Sequence, residues 1–420
     1  MLHEGWLRVS YSESIRPAVP QSTELWVPAG DREELPEISI VVPALNEEIT
    51  IGEFIDWCWE GLRRAGVTGE IIIVDSSSDR TPSIALEKGA RVLRTPKRGL
   101  GHAYIDAIPY IRGDFVLMGD CDLTYDFRDI GGFIAAYRSG AEFVMGSRFR
   151  GSIEKGAMPG LHRYFGTPLT TWILNRIYRS RYSDIHCGMR GISKAALSRI
   201  DLTSMGWEYA SEMVLKAARL RLRMTEVPVK FYKDREGRIS HLRRGGLWWT
   251  PWVAGWINLK VMLVYSPDSF LMKPGLGMFI LGAITSVVLA GGGRQLGPIG
   301  FDLHWMLLSV TLTVLGFGLF QVGIIARLFH GLRGGLERKV LATITYDRGM
   351  IAAGALFGIG SLIEVAFLFR YIRLGLRLEG VSYSAIFGLL LIILSAQLFG
   401  FTLLLELGRR CGFGRGHGAS

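Results

Sequence analysis

The sequence predicts an α/β domain on a mainly parallel sheet, followed by an interfacial helix and an all-α membrane domain of four helices. Three observations carry this. Short apolar runs alternate with helically spaced apolar residues through roughly residue 260, four long apolar runs fill the remainder, and a Trp-rich basic stretch lies at the join. At 420 residues and mean hydropathy +0.26 the chain is too apolar for an ordinary soluble protein of this size.

Residues 1–36 show no clear pattern and read as an N-terminal extension. The α/β domain is expected over 37–242. Ile38-Ser39-Ile40-Val41-Val42 is a buried-strand run ending at Pro43, and 48–65 has helical spacing. Further strands are predicted at 71–74, 91–93, 114–117 and 142–145, with helices at 81–89, 100–111 and 129–139. Ligands of such sheets gather at the carboxyl ends of the strands. Those ends hold Pro43-Ala44-Leu45-Asn46-Glu47-Glu48, Asp75-Ser76-Ser77-Ser78-Asp79, Asp120-Cys121-Asp122 and Gly146-Ser147-Arg148. Four polar clusters on one edge predict a binding site.

Residues 243–268 are expected to be a juxtamembrane amphipathic segment. Trp248, Trp249, Trp252 and Trp256 with Arg243 and Arg244 suit a helix at headgroup depth. The transmembrane domain is expected over 269–410, with spans at about 274–293, 303–326, 350–369 and 381–405. Each can cross a hydrocarbon core of about 30 Å. Residues 1–30 lack an apolar core of signal-peptide length, so the α/β domain is expected on the cytoplasmic side. Arg327, Arg333, Arg338, Lys339 and Arg348 in the second loop and Arg409, Arg410 and Arg415 in the tail agree with it. Arg370, Arg373 and Arg377 in the third loop run against it. Glu364 within the third run is a functional candidate by its placement.

The net charge of +10 lies largely in these loops and beside the Trp-rich segment, which points to anionic lipid headgroups rather than nucleic acid. Cys58, Cys121, Cys187 and Cys411 are scattered, without metal-ligand spacing, and are expected to be reduced thiols.

The chemistry centres on Asp120-Cys121-Asp122, which follows the apolar run Phe115-Val116-Leu117. A strand delivering two carboxylates to its C-terminal edge offers hard oxygen ligands for a divalent cation, Mg²⁺ or Mn²⁺, holding a diphosphate. The same pattern alone also fits a solvated turn or a helix cap.

Taken in order, residues 38–270 resemble family 2 glycosyltransferases of the GT-A fold, and more narrowly the polyprenyl-phosphate and dolichyl-phosphate hexosyltransferases (dolichol-phosphate mannose synthase-like). The motifs are Ile40–Glu48, Val74–Thr81, Gly119–Asp122, Gly146-Ser147-Arg148, Asp184–Arg190, Glu208–Glu212 and Glu226-Val227-Pro228. The resemblance implies inverting transfer of one hexose from a nucleotide-sugar, of GDP-mannose or UDP-glucose type, to a dolichyl- or undecaprenyl-type phosphate. It implies a nucleotide-sugar site at Pro43, Asn46, Glu47, Asp75, Ser76, Asp79 and Asp120. It implies metal ligation by Asp120 and Asp122, with Thr124 standing where many relatives have Gln. Ser76 replaces a second Asp common in the family.

On the acceptor side the resemblance implies phosphate binding by Arg148, Arg163, Thr167, Arg235, Ser240 and His241, with His241 in place of a common Lys. Asp120, Asp122, Arg148, Arg163 and Arg235 are the catalytic set so implied. A phosphate monoester with a second pKa of about 6 is largely dianionic near neutrality and needs a cationic clamp more than a base. Glu212, sharing a helix face with Glu208, is expected either to orient the acceptor or to form an ion pair. Two alternatives stay open: a membrane glycosyltransferase acting on a glycolipid or polysaccharide, and a catalytically inactive GT-A scaffold. Against a processive synthase stands the absence of a Gln-x-x-Arg-Trp string. The many glycines of the membrane runs would allow close helix packing and leave a homo-oligomer open.

Overall fold

The computed structural model describes residues 7–9, 23–31, 35–178, 180–235, 237, 266–329, 342–377 and 380–410, with the single positions 260, 263 and 340. The chain divides into two compact units, Met1–Met262 and Leu263–Ser420.

The first unit is built on a nine-stranded sheet. In chain order its elements are β1 (Leu7–Val9), β2 (Glu24–Val27), β3 (Ile38–Ala44), α1 (Ile51–Ala65), β4 (Gly69–Asp75), α2 (Thr81–Glu87), β5 (Arg91–Arg94), α3 (Leu100–Ala107), β6 (Phe115–Met118), α4 (Gly131–Arg138), β7 (Phe143–Ile153), α5 (Thr167–Tyr178), β8 (Arg190–Ser193), α6 (Lys194–Ile200), α7 (Tyr209–Arg219) and β9 (Met224–Phe231). The spatial order is β1-β2-β5-β4-β3-β6-β8-β7-β9. Strands β5, β4, β3 and β6 are mutually parallel, β8 runs antiparallel between β6 and β7, and β9 is parallel to β7. Only β2 and β8 oppose the common direction, so the sheet is mainly parallel, as expected of a GT-A domain.

The central strands are apolar on both faces because helices cover both. Ile38, Ile40, Val41, Val42, Ile72 and Ile73 are fully buried. Pro43 is tolerated in β3 because pairing with β6 stops at Val41, and its carbonyl faces Cys121 on that vacated side. The segment before residue 37, without pattern in the sequence, adds β2 antiparallel to β5 and β1 beyond it. Strands β8 and β9 also escaped the sequence reading. β8 carries a fully buried arginine, Arg190, and β9 is an edge strand with Pro228 and little buried surface.

Opposite the ligand edge, the starts of β3, β4 and β5 are tied by a buried charge network. Glu70 accepts from Ser39 at 2.6 Å, Arg91 at 2.6 Å and Arg112 at 2.7 Å. Burial pushes its carboxyl up, but these donors more than offset that and hold it below the usual range.

The second unit holds α8 (Lys273–Leu289), a short β10–β11 hairpin (Arg294–Leu296 and Ile299–Phe301), α9 (Leu303–Phe329), α10 (Tyr346–Arg373) and α11 (Tyr383–Arg410). Four helical stretches, Asp268–Leu289, Leu303–Leu328, Tyr346–Arg373 and Tyr383–Gly408, are long and apolar enough to cross a membrane. They overlap the four expected spans, the first ending before residue 290 and the fourth starting after residue 382, and point to a membrane protein. The antiparallel pairs α8/α9 and α10/α11 approach closely at glycines: a Cβ on Gly316 would lie 2.3 Å from the Phe279 amide nitrogen. Gln321 and Gln397 join the two pairs, each donating its amide to a backbone carbonyl on the other's helix. Glu364 packs against Gly388, with Oε1 buried and unpartnered.

Candidate active site

The carboxyl edge of β3, β4 and β6 brings three loops together. After β4, Asp75 is fully buried; its Oδ2 accepts from the Ser77 amide at 3.2 Å and pairs with Arg94, its register partner on β5. Its Oδ1 has no hydrogen-bond partner. Burial raises the Asp75 pKa, and Ser77 and Arg94 only partly oppose this.

The neighbouring polar residues bind the loops to each other. Asn46, in the left-handed region at φ 55, donates its amide to Ser77 Oγ at 2.7 Å, and its Oδ1 accepts from the Ser78 amide at 2.9 Å. Asp79 accepts from the Thr81 amide at 3.0 Å and from that of Glu48 at 3.3 Å. Glu47 donates its amide to Thr81 Oγ1 and accepts from the Thr50 hydroxyl, and Ser76 donates to the Thr95 carbonyl. These bonds brace the loops, whereas Asp75 keeps one buried carboxylate oxygen without a hydrogen-bond partner.

After β6 the chain turns sharply. Leu123 sits at φ 63 with its side chain buried, which returns Thr124 onto Asp122; the Thr124 amide and hydroxyl both donate to Asp122 Oδ1, at 3.0 and 2.6 Å. Thr124 was expected as a metal ligand. Its hydroxyl donates to the Asp122 carboxylate and keeps its oxygen lone pairs for a cation. Asp120 lies among the buried tyrosines Tyr104, Tyr125 and Tyr209, and a Cβ on Gly188 would fall 2.7 Å from its Oδ2. Tyr104 donates to the Gly119 carbonyl at 3.0 Å and Tyr125 accepts the Gly188 amide at 2.8 Å. Arg190, 1 % exposed, donates to the carbonyls of Ala210 and Cys187 and so ties the first turn of α7 to the loop before β8.

Among the described residues no group of three or more His, Cys, Asp or Glu could hold a metal. Two half-buried carboxylates fit a cation that completes its shell with phosphate and water, as Mg²⁺ does, rather than a protein-caged ion.

The residues expected to hold the acceptor phosphate separate. Arg148 is bidentate to the fully buried Asp184, at 2.7 and 2.9 Å, and lies 5.2 Å from the Phe231 ring. Arg148, expected at the acceptor phosphate, is in this structure one partner of a buried ion pair. Arg235 is exposed and paired with Glu53 of α1. Arg163 stands on a π-turn, His162–Gly166, that leads into α5; among the described residues it makes no ion pair and rests 5.6 Å from the Tyr164 ring. Thr167, one turn on, is buried. The turn is held from behind by a short relay: Thr170 Oγ1 is 2.7 Å from His186 Nε2 and donates to the Gly166 carbonyl at 2.9 Å. Ser240, His241 and the Trp-rich segment lie outside the described residues. Glu212 does not face an acceptor: it is fully buried and gathers Thr203, Ser204 and Lys216.

Residues 39–201 match glycosyl transferase family 2. Over 386 residues the chain is 33% identical to the low-salt glycan biosynthesis hexosyltransferase Agl6 of Haloferax volcanii, covering 90% of this chain and 91% of that one. The chain belongs to glycosyltransferase family 2. A dolichyl-phosphate hexose transferase of Haloferax volcanii is 30% identical over 206 residues, 48% of this glycosyltransferase and 85% of that protein. Among solved structures, glucosyl-3-phosphoglycerate synthase from Mycobacterium tuberculosis with Mn²⁺, uridine diphosphate and phosphoglyceric acid is 20% identical at a TM-score of 0.43, covering 55% of this chain and 78% of that one.

Several residues that shape this edge of the glycosyltransferase had no individual role assigned from its sequence. Arg94 is legible only through register, as the parallel partner of Asp75. Asp184, Gly188 and Arg190 belong to a recognised motif, yet their tasks depend on which loops meet there.

Proposed function

We propose that this glycosyltransferase moves one hexose from a nucleotide-sugar to the phosphate of a membrane polyprenol, with inversion at the anomeric carbon, on the cytoplasmic side. The observation that carries the reading is the half-buried Asp120 and Asp122 pair at the carboxyl edge of a parallel sheet, in a chain that also holds four membrane-length helices. Similarity to a protein named as a dolichyl-phosphate hexose transferase supports it.

Asp75 offers its unpartnered oxygen to an N–H or O–H of the donor nucleoside, of guanosine or uridine type. Pro43, Asn46, Glu47, Ser76 and Asp79 hold the loop around it. Asp120 and Asp122 bind Mg²⁺ or Mn²⁺, which when present neutralises the donor diphosphate as it leaves. Asp122 is kept in position by Thr124.

Arg163, with Thr167 beside it, clamps the acceptor phosphate, joined by Ser240 and His241. Arg235 contributes once phosphate displaces Glu53. Arg148 keeps the Asp184 loop in place. The dianionic phosphate oxygen attacks the anomeric carbon opposite the leaving diphosphate, and no side chain has to remove a proton.

The test is product mass spectrometry of the purified full chain with a short polyprenyl phosphate, Mg²⁺ or Mn²⁺ and a panel of nucleotide-sugars, with and without chelator. A chelator-sensitive lipid-phosphate monosaccharide is expected. Sugar appearing only on a glycolipid would replace the acceptor, and silence from folded protein would overturn the enzymatic reading.

A further inference from the structure

Strand β2 reaches the donor edge of the sheet through an arginine. Its pairing with β5 sets Glu24 opposite Arg94 and Trp26 opposite Val92, so Glu24, Trp26 and Arg94 share one face. The Arg94 guanidinium lies over the Trp26 ring, 5.6 Å from its centre, and the indole N–H donates to Glu24 at 3.2 Å, which steadies the ring. Arg94 is half-buried and turns toward β4, where Nη1 pairs with Asp75 Oδ2 and donates to the Ser77 carbonyl at 3.0 Å. Strand β2 lies ahead of residues 39–201, which match the family, so its contact is an addition of this chain to the common site.

We propose that Trp26 and Arg94 select the base of the donor nucleotide, uracil over guanine. The inference rests on the reading of Asp75 as the residue that receives the nucleoside. A carboxylate has two oxygens to offer, and here they are unequal. The Ser77 amide and Arg94 engage Oδ2, while Oδ1 is buried without a hydrogen-bond partner. The two bases differ in what they present to such a group. Guanine carries two adjacent donors, N1–H and an N2–H, which match both oxygens of a carboxylate side by side. Uracil carries a single N3–H between two carbonyls. With Oδ2 engaged, guanine keeps one donor unpaired away from water, and a hydrogen-bonding site rejects a ligand on that ground. Oδ1 alone meets the need of uracil, and a guanidinium beside the carboxylate suits the carbonyls that flank its N–H.

Trp26 is the positioning residue of this arrangement. Arg94 is a long side chain at the end of its strand with 30 % of it exposed, so without the ring it exchanges Asp75 for water more readily and releases Oδ2. The ring covers the guanidinium and holds it on the carboxylate. Burial raises the Asp75 pKa, and Arg94 is among the groups that oppose this, so the same contact helps to keep the carboxyl an acceptor.

The test measures binding of UDP and of GDP, each with Mg²⁺, to the purified full chain by isothermal titration calorimetry, with thermal melts as the folding control. The unaltered protein is expected to hold UDP about ten-fold more tightly than GDP, the difference one unpaired donor makes. Trp26→Leu is expected to weaken UDP binding roughly two- to five-fold, as loss of a partly exposed cation–π contact does, and to narrow the preference for UDP. Trp26→Phe keeps a ring face and is expected to restore most of both. Arg94→Gln is expected to narrow the preference further. If Trp26→Leu lowers only the melting temperature and leaves the ratio of UDP to GDP affinity where it was, its role is structural and the proposal is overturned. Tighter binding of GDP by the unaltered protein would overturn the base assignment and leave the nucleotide site standing. Binding of neither by folded protein would instead overturn the nucleotide-sugar reading beneath it.

Discussion

At the scale of single residues, the proposed function divides groups that touch ligands from groups that hold them. Asp122 and Thr124 show the division. Asp122→Asn is expected to abolish transfer with the fold intact. Thr124→Val, which removes only the 2.6 Å bond to Asp122, is expected to raise the metal concentration for half-maximal rate roughly ten-fold, the worth of one hydrogen bond to a charged group. A metal titration of both variants checks this, and an unchanged titration for Thr124→Val would remove its orienting task. His186 makes a prediction of another kind. Burial, followed by the nearby cations Arg148 and Arg190 and only partly opposed by Asp184, lowers its pKa from 6.5 to about 4. The unfolded chain then binds a proton that the folded chain refuses. The contribution is intact above pH 6.5 and is withdrawn as pH falls toward 4, by about 3 kcal/mol. His186→Gln, which still donates to Thr170 but does not titrate, is expected to flatten that part of the stability profile, read from urea midpoints followed by tryptophan fluorescence at several pH values. Asp75 and Arg163 stood out in the sequence through the family resemblance. Arg148 was marked in the same way, and its pairing with Asp184, 36 residues away, is something no local pattern reveals.

At the scale of elements, the catalytic loop is shaped by the helix packed behind it. A Cβ on Gly61 of α1 would stand 2.0 Å from the Phe127 carbonyl oxygen, and Phe54 of the same helix meets the Phe127 ring edge-on at 4.9 Å. Backbone cannot swing aside as a flexible side chain would. Gly61→Ala is therefore expected to cost about 1–3 kcal/mol and to lower the transfer rate by displacing the turn that carries Asp122, although Gly61 touches no ligand. A thermal melt paired with initial rates would show both effects, and a loss of stability with full activity would separate the helix from the turn. Strands β3, β4 and β6 were legible because strands buried on both faces read as unbroken apolar runs. Strand β8 was not, since Arg190 in a four-residue strand donates to the carbonyls of Cys187 and Ala210, which only the folded chain brings to it. The exposed apolar stripe before and along α5, with Leu161, Tyr164, Phe165, Leu169 and Trp172, was equally hidden: its spacing is that of any amphipathic helix, and sequence alone does not say which face is turned out.

At the scale of the whole molecule, two units share one chain, and neither is organised around a protein-caged metal among the described residues. Chelation is therefore expected to stop transfer while leaving the melting temperature of the nucleotide-free protein within about a degree, since an ion held chiefly through the donor diphosphate adds little linkage stability in its absence. Differential scanning fluorimetry with and without chelator checks it, and a large downward shift would reveal a structural ion. The sequence by itself determined the α/β unit, the four membrane-length helices and the edge on which the polar loops gather, because hydrophobic periodicity and strand order are local or nearly local properties. Only the tertiary structure decided which polar groups found partners. Hydrogen bonds and ion pairs are formed between segments far apart in the chain, so Asn46 and Asp79 joined one loop to another, Arg148 paired with Asp184, one Asp75 oxygen was buried without a partner, and an apolar helical stripe was left facing outward.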